Sequence, residues 1–224
     1  TGMRFRVQRR AGSHHADVQP LTKQDTAVMN RIYNGRWSWN RRAILVQTED
    51  QYLAASMHGM PHGGDGIPDN DFRGHFCVHF LGSTTHGSGR SDLGHQMMVH
   101  KSAGMLQKYI EQASPYQLVD AYLFAVNQHD LELTDWMYAS DMRASQANMT
   151  RFMDSIQAIR RISEFEEKPW KDALAVDLPV TAAVHRAGAA PERIRFTFRL
   201  RRAAIGDPWK IDAIDMVQKK RPEL

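Results

Sequence analysis

Residues 74–80 read Gly74-His75-Phe76-Cys77-Val78-His79-Phe80. In an extended chain successive side chains fall on opposite faces. His75, Cys77 and His79 then share one face, while Phe76, Val78 and Phe80 share the other. The apolar face anchors the strand, and the opposite face sets two imidazoles beside the only thiol of the chain. The thiolate is the nucleophilic form of cysteine; a nearby imidazole stabilises it as an ion pair or takes its proton as general base. A single cysteine also serves as a small buried hydrophobe, but that use would place it on the apolar face. Candidate bases lie upstream in His58-Gly59-Met60-Pro61-His62-Gly63. Glycine beside a histidine lets a carbonyl substrate approach closely, and exposed backbone N–H groups there can hold an oxyanion. Gly63 and Gly74 are therefore candidate substrate-binding positions, with Ser83 and His86 of the following Gly/Ser/Thr loop lining the same cleft.

The same donors support a metal reading. Imidazole and thiolate suit zinc, and His75, His79 and His62 with a water would make a hydrolytic centre. Further ligands are available at His86 and in His14-His15-Ala16-Asp17, although the spacing matches no standard metal motif. Nine of the 11 histidines fall in the first 100 residues, so the chemistry is expected there. His95 and His100 sit in an expected helix and read as surface or partly buried residues; His129 and His185 read as incidental. Trp37-Ser38-Trp39 reads as packing under the first helix or, alternatively, as a stacking wall for sugar rings.

His62-Gly63, followed 15 positions after His62 by the cysteine of Gly74-His75-Phe76-Cys77-Val78-His79-Phe80, resembles the signature of the YkuD-type L,D-transpeptidases. Those enzymes carry His-Gly, a spacer of similar length, then Ser-His-Gly-Cys-(Ile/Val)-Arg-(apolar). The resemblance implies that Cys77 forms a thioester with a peptidoglycan stem peptide and that His62 is the base. His75 would take the place of the motif's own histidine. The acyl group would then pass to an amine of a second stem peptide or to water. The chain departs from the motif at Gly74, Phe76 and His79, which replace serine, glycine and arginine. His58, 19 positions before the cysteine, is a rival base.

These residues need a scaffold. Residues 3–9 alternate as a strand, and Thr22 with Asp25 caps a helix that Gly35 ends. Strands are expected over 43–46, 52–57 and 75–81, with Gly/Pro-rich loops at 59–74 and 82–94 and one helix over 92–113. Ser114-Pro115 marks a boundary. Beyond it come helices over 116–128 and 131–138, then strands near 156–167, 172–185, 192–203 and 208–217. In the third of these Ile194, Phe196, Phe198 and Leu200 alternate with Arg193, Arg195, Thr197, Arg199 and Arg201, a half-buried antiparallel strand with a solvated cationic face. The expected fold class is α+β: a small β-rich L,D-transpeptidase-like domain over 1–113, then a domain over 114–224 that resembles the NTF2-like fold, helices followed by a curved antiparallel sheet.

Composition frames the reading. The 224 residues are 42% hydrophobic and 24% charged with a formal charge of +4, an ordinary globular balance. No apolar run approaches the ~20 residues of a membrane-spanning helix, and one cysteine excludes an internal disulfide framework. The chain opens Thr1-Gly2-Met3 and reads as an excised piece, so the lack of a leader carries no weight. The expected function is a cell-envelope cysteine acyl transferase or peptidase acting on peptidoglycan stem peptides, extracellular or envelope-bound, without a cofactor. The alternatives are a zinc-dependent hydrolase built on the histidine cluster and a non-catalytic wall-binding module. No nucleic-acid partner is expected; a homodimer through the second domain is the assembly considered.

Overall fold

The computed structural model describes residues 1–85, 89–140 and 150–217; His86, expected to line the cleft, lies outside them. The chain divides into two compact units, Thr1–Leu106 and Gln107–Leu224. Each combines helices with an antiparallel sheet. Among the described residues no helix is long and apolar enough to cross a membrane.

The first unit holds β1 (Val7–Ala11), β2 (Ala16–Pro20), α1 (Lys23–Ile32), β3 (Arg42–Gln47), β4 (Tyr52–Met57), β5 (Phe76–His79) and α2 (Leu93–Ser102). Its five strands run in the order β1-β2-β5-β4-β3, every neighbouring pair antiparallel. The short strand β5, carrying the cysteine, is thus the middle of the sheet. Its register sets Val18 opposite Phe76, Asp17 opposite Cys77 and Ala16 opposite Val78 on one side. On the other side Ser56 faces His79 and Met57 faces Val78. Residues opposite one another share a face, so the pairing sorts the sheet into two chemistries. Ala16, Val18, Ala55, Met57, Phe76 and Val78 point one way and pack on Met29 and Tyr33 of the α1 region and on Phe72. Complete burial of side chains of this size contributes about 1.5–3 kcal/mol each.

Helix α1 forms where expected. The Thr22 side chain accepts from the Asp25 N–H at 3.1 Å, and the chain leaves the helix through Gly35, whose left-handed φ of 78° lets its N–H reach the Asn30 carbonyl at 2.9 Å. The single helix expected over 92–113 is instead two. Helix α2 stops at Ser102, Gly104 turns left-handed at φ 70°, and α3 (Leu106–Glu111) follows. Glycine supplies the positive φ that an unbroken helix cannot contain.

In the second unit Ser114 and Gln117 form a capping box in front of α4 (Pro115–Gln128), so Ser114-Pro115 is a helix start as well as a change of pattern. Asp130 caps α5 (Leu131–Met137). The sheet follows as β6 (Ala158–Arg161), β7 (Ala175–His185), β8 (Glu192–Arg201) and β9 (Lys210–Val217), paired in that order. The strand expected over 156–167 is thus reduced to β6. Ile194, Phe196, Phe198 and Leu200 are buried as expected. On the opposite face of β8, Arg199 pairs with Asp215 at 2.5 Å and Arg201 with Asp212 at 2.7 Å, so part of the cationic face is neutralised within the sheet.

Asp25 ties α1 to the start of the chain, accepting the Arg6 N–H at 2.8 Å. Burial pushes its carboxyl up, but the Arg6 amide, the Thr22 hydroxyl and the Arg6 charge together hold it below the usual carboxylate value. Asp25→Ala should lower stability at neutral pH by about 1–2 kcal/mol. A carboxyl whose folded value is depressed stabilises fully above its unfolded value of 3.8 and loses that contribution as the pH falls through the folded value. Urea melts of the two proteins should therefore differ at pH 7 and converge under strong acid.

Candidate functional site

The face of the first sheet opposite the apolar core carries the chemistry. Asp17 from β2, His75, Cys77 and His79 from and beside β5, and Ser56 and His58 from β4 and its continuation all lie on it by alternation and register. His15 precedes Asp17 by two residues and joins the same face. Helix α2 contributes His95, whose ring stacks on His79 with centroids 3.7 Å apart; His79 stacks in turn on His15 at 4.7 Å. His15, Asp17, His58, Cys77, His79 and His95 are all buried, while His62 and His75 are half-buried and form the rim.

Hydrogen bonds fix the ring orientations. The His62 Nδ1 lies 3.0 Å from the Met60 carbonyl and so donates to it, leaving Nε2 as the acceptor nitrogen, 3.4 Å from the Cys77 sulfur. His15 Nδ1 sits 2.8 Å from the Thr84 carbonyl, and its Nε2 lies 3.2 Å from Asp17 Oδ1. That oxygen is also 3.7 Å from Cys77 Sγ and 3.7 Å from His75 Nε2. His95 Nδ1 and the Ser56 hydroxyl are 2.9 Å apart.

Electrostatics set the resting protonation. Burial, and then the neighbouring Asp17 carboxylate, push the Cys77 thiol up to about 12, so at rest the sulfur keeps its proton. Burial, with the His62 ring beside it, pulls His58 down to about 3; burial against His79 takes His95 to about 2. Both rings are neutral at physiological pH, since a desolvated imidazolium beside other imidazoles is penalised twice. This corrects two expectations. The thiol is enclosed, at 4% exposure, where a solvent-reached cleft was expected, and its surroundings raise its pKa.

Glycines make the crossing of the two histidine segments possible. His62 and His75 exchange backbone hydrogen bonds of 2.9 and 2.8 Å. At Gly74, where φ is 89°, a Cβ would stand 2.4 Å from the His62 carbonyl oxygen. At Gly63 a Cβ would stand 2.3 Å from the His75 ring. The space beside both residues, expected to admit substrate, is filled by protein. Ser83 also turns inward, its hydroxyl accepting the Phe80 N–H at 2.9 Å to close the turn after β5.

Other residues take unexpected places. His95, read as partly buried at most, is 2% exposed and part of the stack. Asp17 was only the end of a secondary cluster; its approach to Cys77 depends on strand register, which alternation alone does not reveal. The two tryptophans divide: Trp37 packs edge-on against Phe72 at 5.2 Å, whereas Trp39 is half exposed with its ring 4.6 Å from His58 and 5.3 Å from His62. A cavity of about 550 Å³ opens beside His15 and Asp17, lined also by Gly12, Ser13, His14, Thr85 and Gly89.

The donor set fits a transition-metal ion. Three groupings bring one donor atom from each member within 4.8 Å of the others: His15–Cys77–His79, His58–His62–Cys77 and Asp17–His75–Cys77. Cys77 belongs to all of them. The expected set of His62, His75 and His79 is not among these groupings of the described residues.

Comparison with known proteins is sparse. No protein family matches the chain, and no curated protein does. Among solved structures, a SEC-C motif containing protein from Rhodopseudomonas palustris matches with a TM-score of 0.41 and 17% identity, over 59% of this chain and 96% of that one. The resemblance to the L,D-transpeptidases is not upheld: no family model, theirs included, matches the chain. The three motif departures also have structural duties of their own. Gly74 carries a backbone conformation and a close approach that a side chain would block, Phe76 is fully buried in the apolar core, and His79 is sandwiched between two imidazoles.

Gly74→Ala should cost at least about 2 kcal/mol from its positive φ and the carbonyl it meets. Gly82 also has a positive φ but meets nothing within 4 Å, so Gly82→Ala should cost about half as much or less. Urea unfolding of both variants beside the wild type measures the difference, which isolates the packing of the His62–His75 crossing.

Proposed function

We propose that the first unit performs thiol-based acyl transfer, with Cys77 as nucleophile and His62 as general base. The observation that carries this reading is the ordered series Cys77 Sγ, His62 Nε2 at 3.4 Å, His62 Nδ1, Met60 carbonyl at 3.0 Å. A nucleophile, a base and a group that orients the base are the parts such catalysis requires. Because the resting thiol is protonated, proton transfer accompanies attack rather than preceding it. As the sulfur bonds to a substrate carbonyl carbon, its proton passes to His62 Nε2. The imidazolium then protonates the leaving amine or alcohol, and a thioester remains. An incoming amine or water gives its proton to His62 as it attacks the thioester, and the sulfur recovers that proton on leaving.

The half-buried rings of His62 and His75 and the exposed Trp39 mark the side from which an acyl donor approaches. The second unit is proposed as an accessory domain of NTF2-like arrangement, supported by its helices-then-sheet order. A zinc-dependent hydrolase is the second reading, favoured by the Cys/His groupings. Ester hydrolysis lost on treatment with chelator and restored by zinc would favour it.

Protein freed of metal with chelator and incubated with an activated acyl ester should gain one hydroxylamine-labile adduct per chain, mapped to Cys77 by mass spectrometry. His62→Ala should slow this by about 10²-fold or more, while His129→Ala, at the end of α4, should leave it unchanged. Absence of any adduct in the folded wild type overturns the proposal.

A further inference from the structure

We infer that Asp17, His75 and Cys77 form a zinc-class metal site that withdraws the sulfur from acyl transfer, so that ion and substrate compete for one atom. The inhibitory role rests on the acyl-transfer reading above; the binding of the ion does not. Asp17 Oδ1 is 3.7 Å from Cys77 Sγ and 3.7 Å from His75 Nε2. Ligand atoms around a tetrahedral zinc, bonded at about 2.0–2.3 Å, lie roughly 3.3–3.7 Å apart. Two of the three separations already have that length, and the third, between Cys77 and His75, is within 4.8 Å.

Charge selects this set from the three that converge on the thiol. It alone combines a carboxylate with a thiolate, and two negative ligands offset a divalent cation in a buried place where uncompensated charge is costly. Binding replaces the sulfur's proton with the metal and releases that proton to solvent. His15 stands in the position of an orienting group: its Nε2 is 3.2 Å from the same Asp17 oxygen, and its Nδ1 is held on the Thr84 carbonyl at 2.8 Å, the outer contacts that tune ligand geometry in metal sites. The ion reaches the site along the half-buried His75 ring, 17% exposed. The His62 base lies on the sulfur too, at 3.4 Å, so the metal and the acyl donor cannot both hold the sulfur.

The test is calorimetric titration of the chelator-stripped full chain with zinc chloride, alongside the acylation assay. The expected result is one zinc per chain, at least tenfold slower acylation when the site is filled, and recovery on adding chelator. Asp17→Asn and His75→Ala, shown to be folded by circular dichroism, should each weaken zinc binding by at least the roughly 10–100-fold that loss of an outer contact costs, whereas His58→Ala should bind as the wild type does. Cobalt(II) added to the wild type, which needs no variant to fold, should give thiolate-to-cobalt charge-transfer absorption. Zinc affinity unchanged in both Asp17→Asn and His75→Ala, absence of binding, or cobalt uptake without thiolate absorption overturns the site. Zinc binding that leaves acylation at full rate overturns the competition. Acylation missing from the metal-free wild type while zinc still binds refutes the catalytic reading alone.

Discussion

A carboxylate placed directly across the sheet from a thiol, away from water, governs the first unit. Asp17 and Cys77 are register partners on adjacent strands, and one Asp17 oxygen is shared among the sulfur, His15 and His75. In a region of low effective dielectric such a carboxylate keeps its charge only when surrounded by donors. The ring nitrogens set against it are His15 Nε2 at 3.2 Å and His75 Nε2 at 3.7 Å. The same charge holds the thiol proton in place and gives a cation reason to settle there. Protonated sulfur and cation affinity are two consequences of one placement.

The two chemistries considered for Cys77 therefore differ in which neighbour the sulfur engages. Toward His62 it meets a ring whose far nitrogen is fixed on a carbonyl, and proton transfer is the available event. Toward Asp17 and His75 it meets a negative charge and a second nitrogen, and coordination is the available event. The enclosed position makes both interactions stronger than they would be in water, because nothing competes for the lone pairs. It also means that the rim formed by His62, His75 and Trp39 controls what arrives.

Much of this was legible in the residues themselves. Alternation from His75 to Phe80 correctly placed the thiol and its two flanking imidazoles on one face, and strand β4 and the Thr22 cap of α1 stand where the pattern set them. Register was not legible: nothing local says that Asp17 rather than Val18 faces Cys77, so the carboxylate and its effect on the thiol were missed. His95 was missed for a related reason. A histidine on a helix is ordinarily a solvated residue, and only the packing of α2 on the sheet turns it into a stacked, desolvated ring. Glycine was misread in function though not in importance: Gly63 and Gly74 do permit a close approach, but what approaches is the chain's own backbone and ring.

The two-sided character of β5 constrains how this molecule can change over time. Its odd-numbered positions serve the histidine face and its even-numbered ones the hydrocarbon beneath. Adding or deleting one residue inside it would exchange the two sets, sending imidazoles into the interior and phenylalanines among the polar groups. Length variation among descendants of this sequence should accordingly gather in the glycine-rich stretches on either side, with the central strand passing unaltered in length from one lineage to the next.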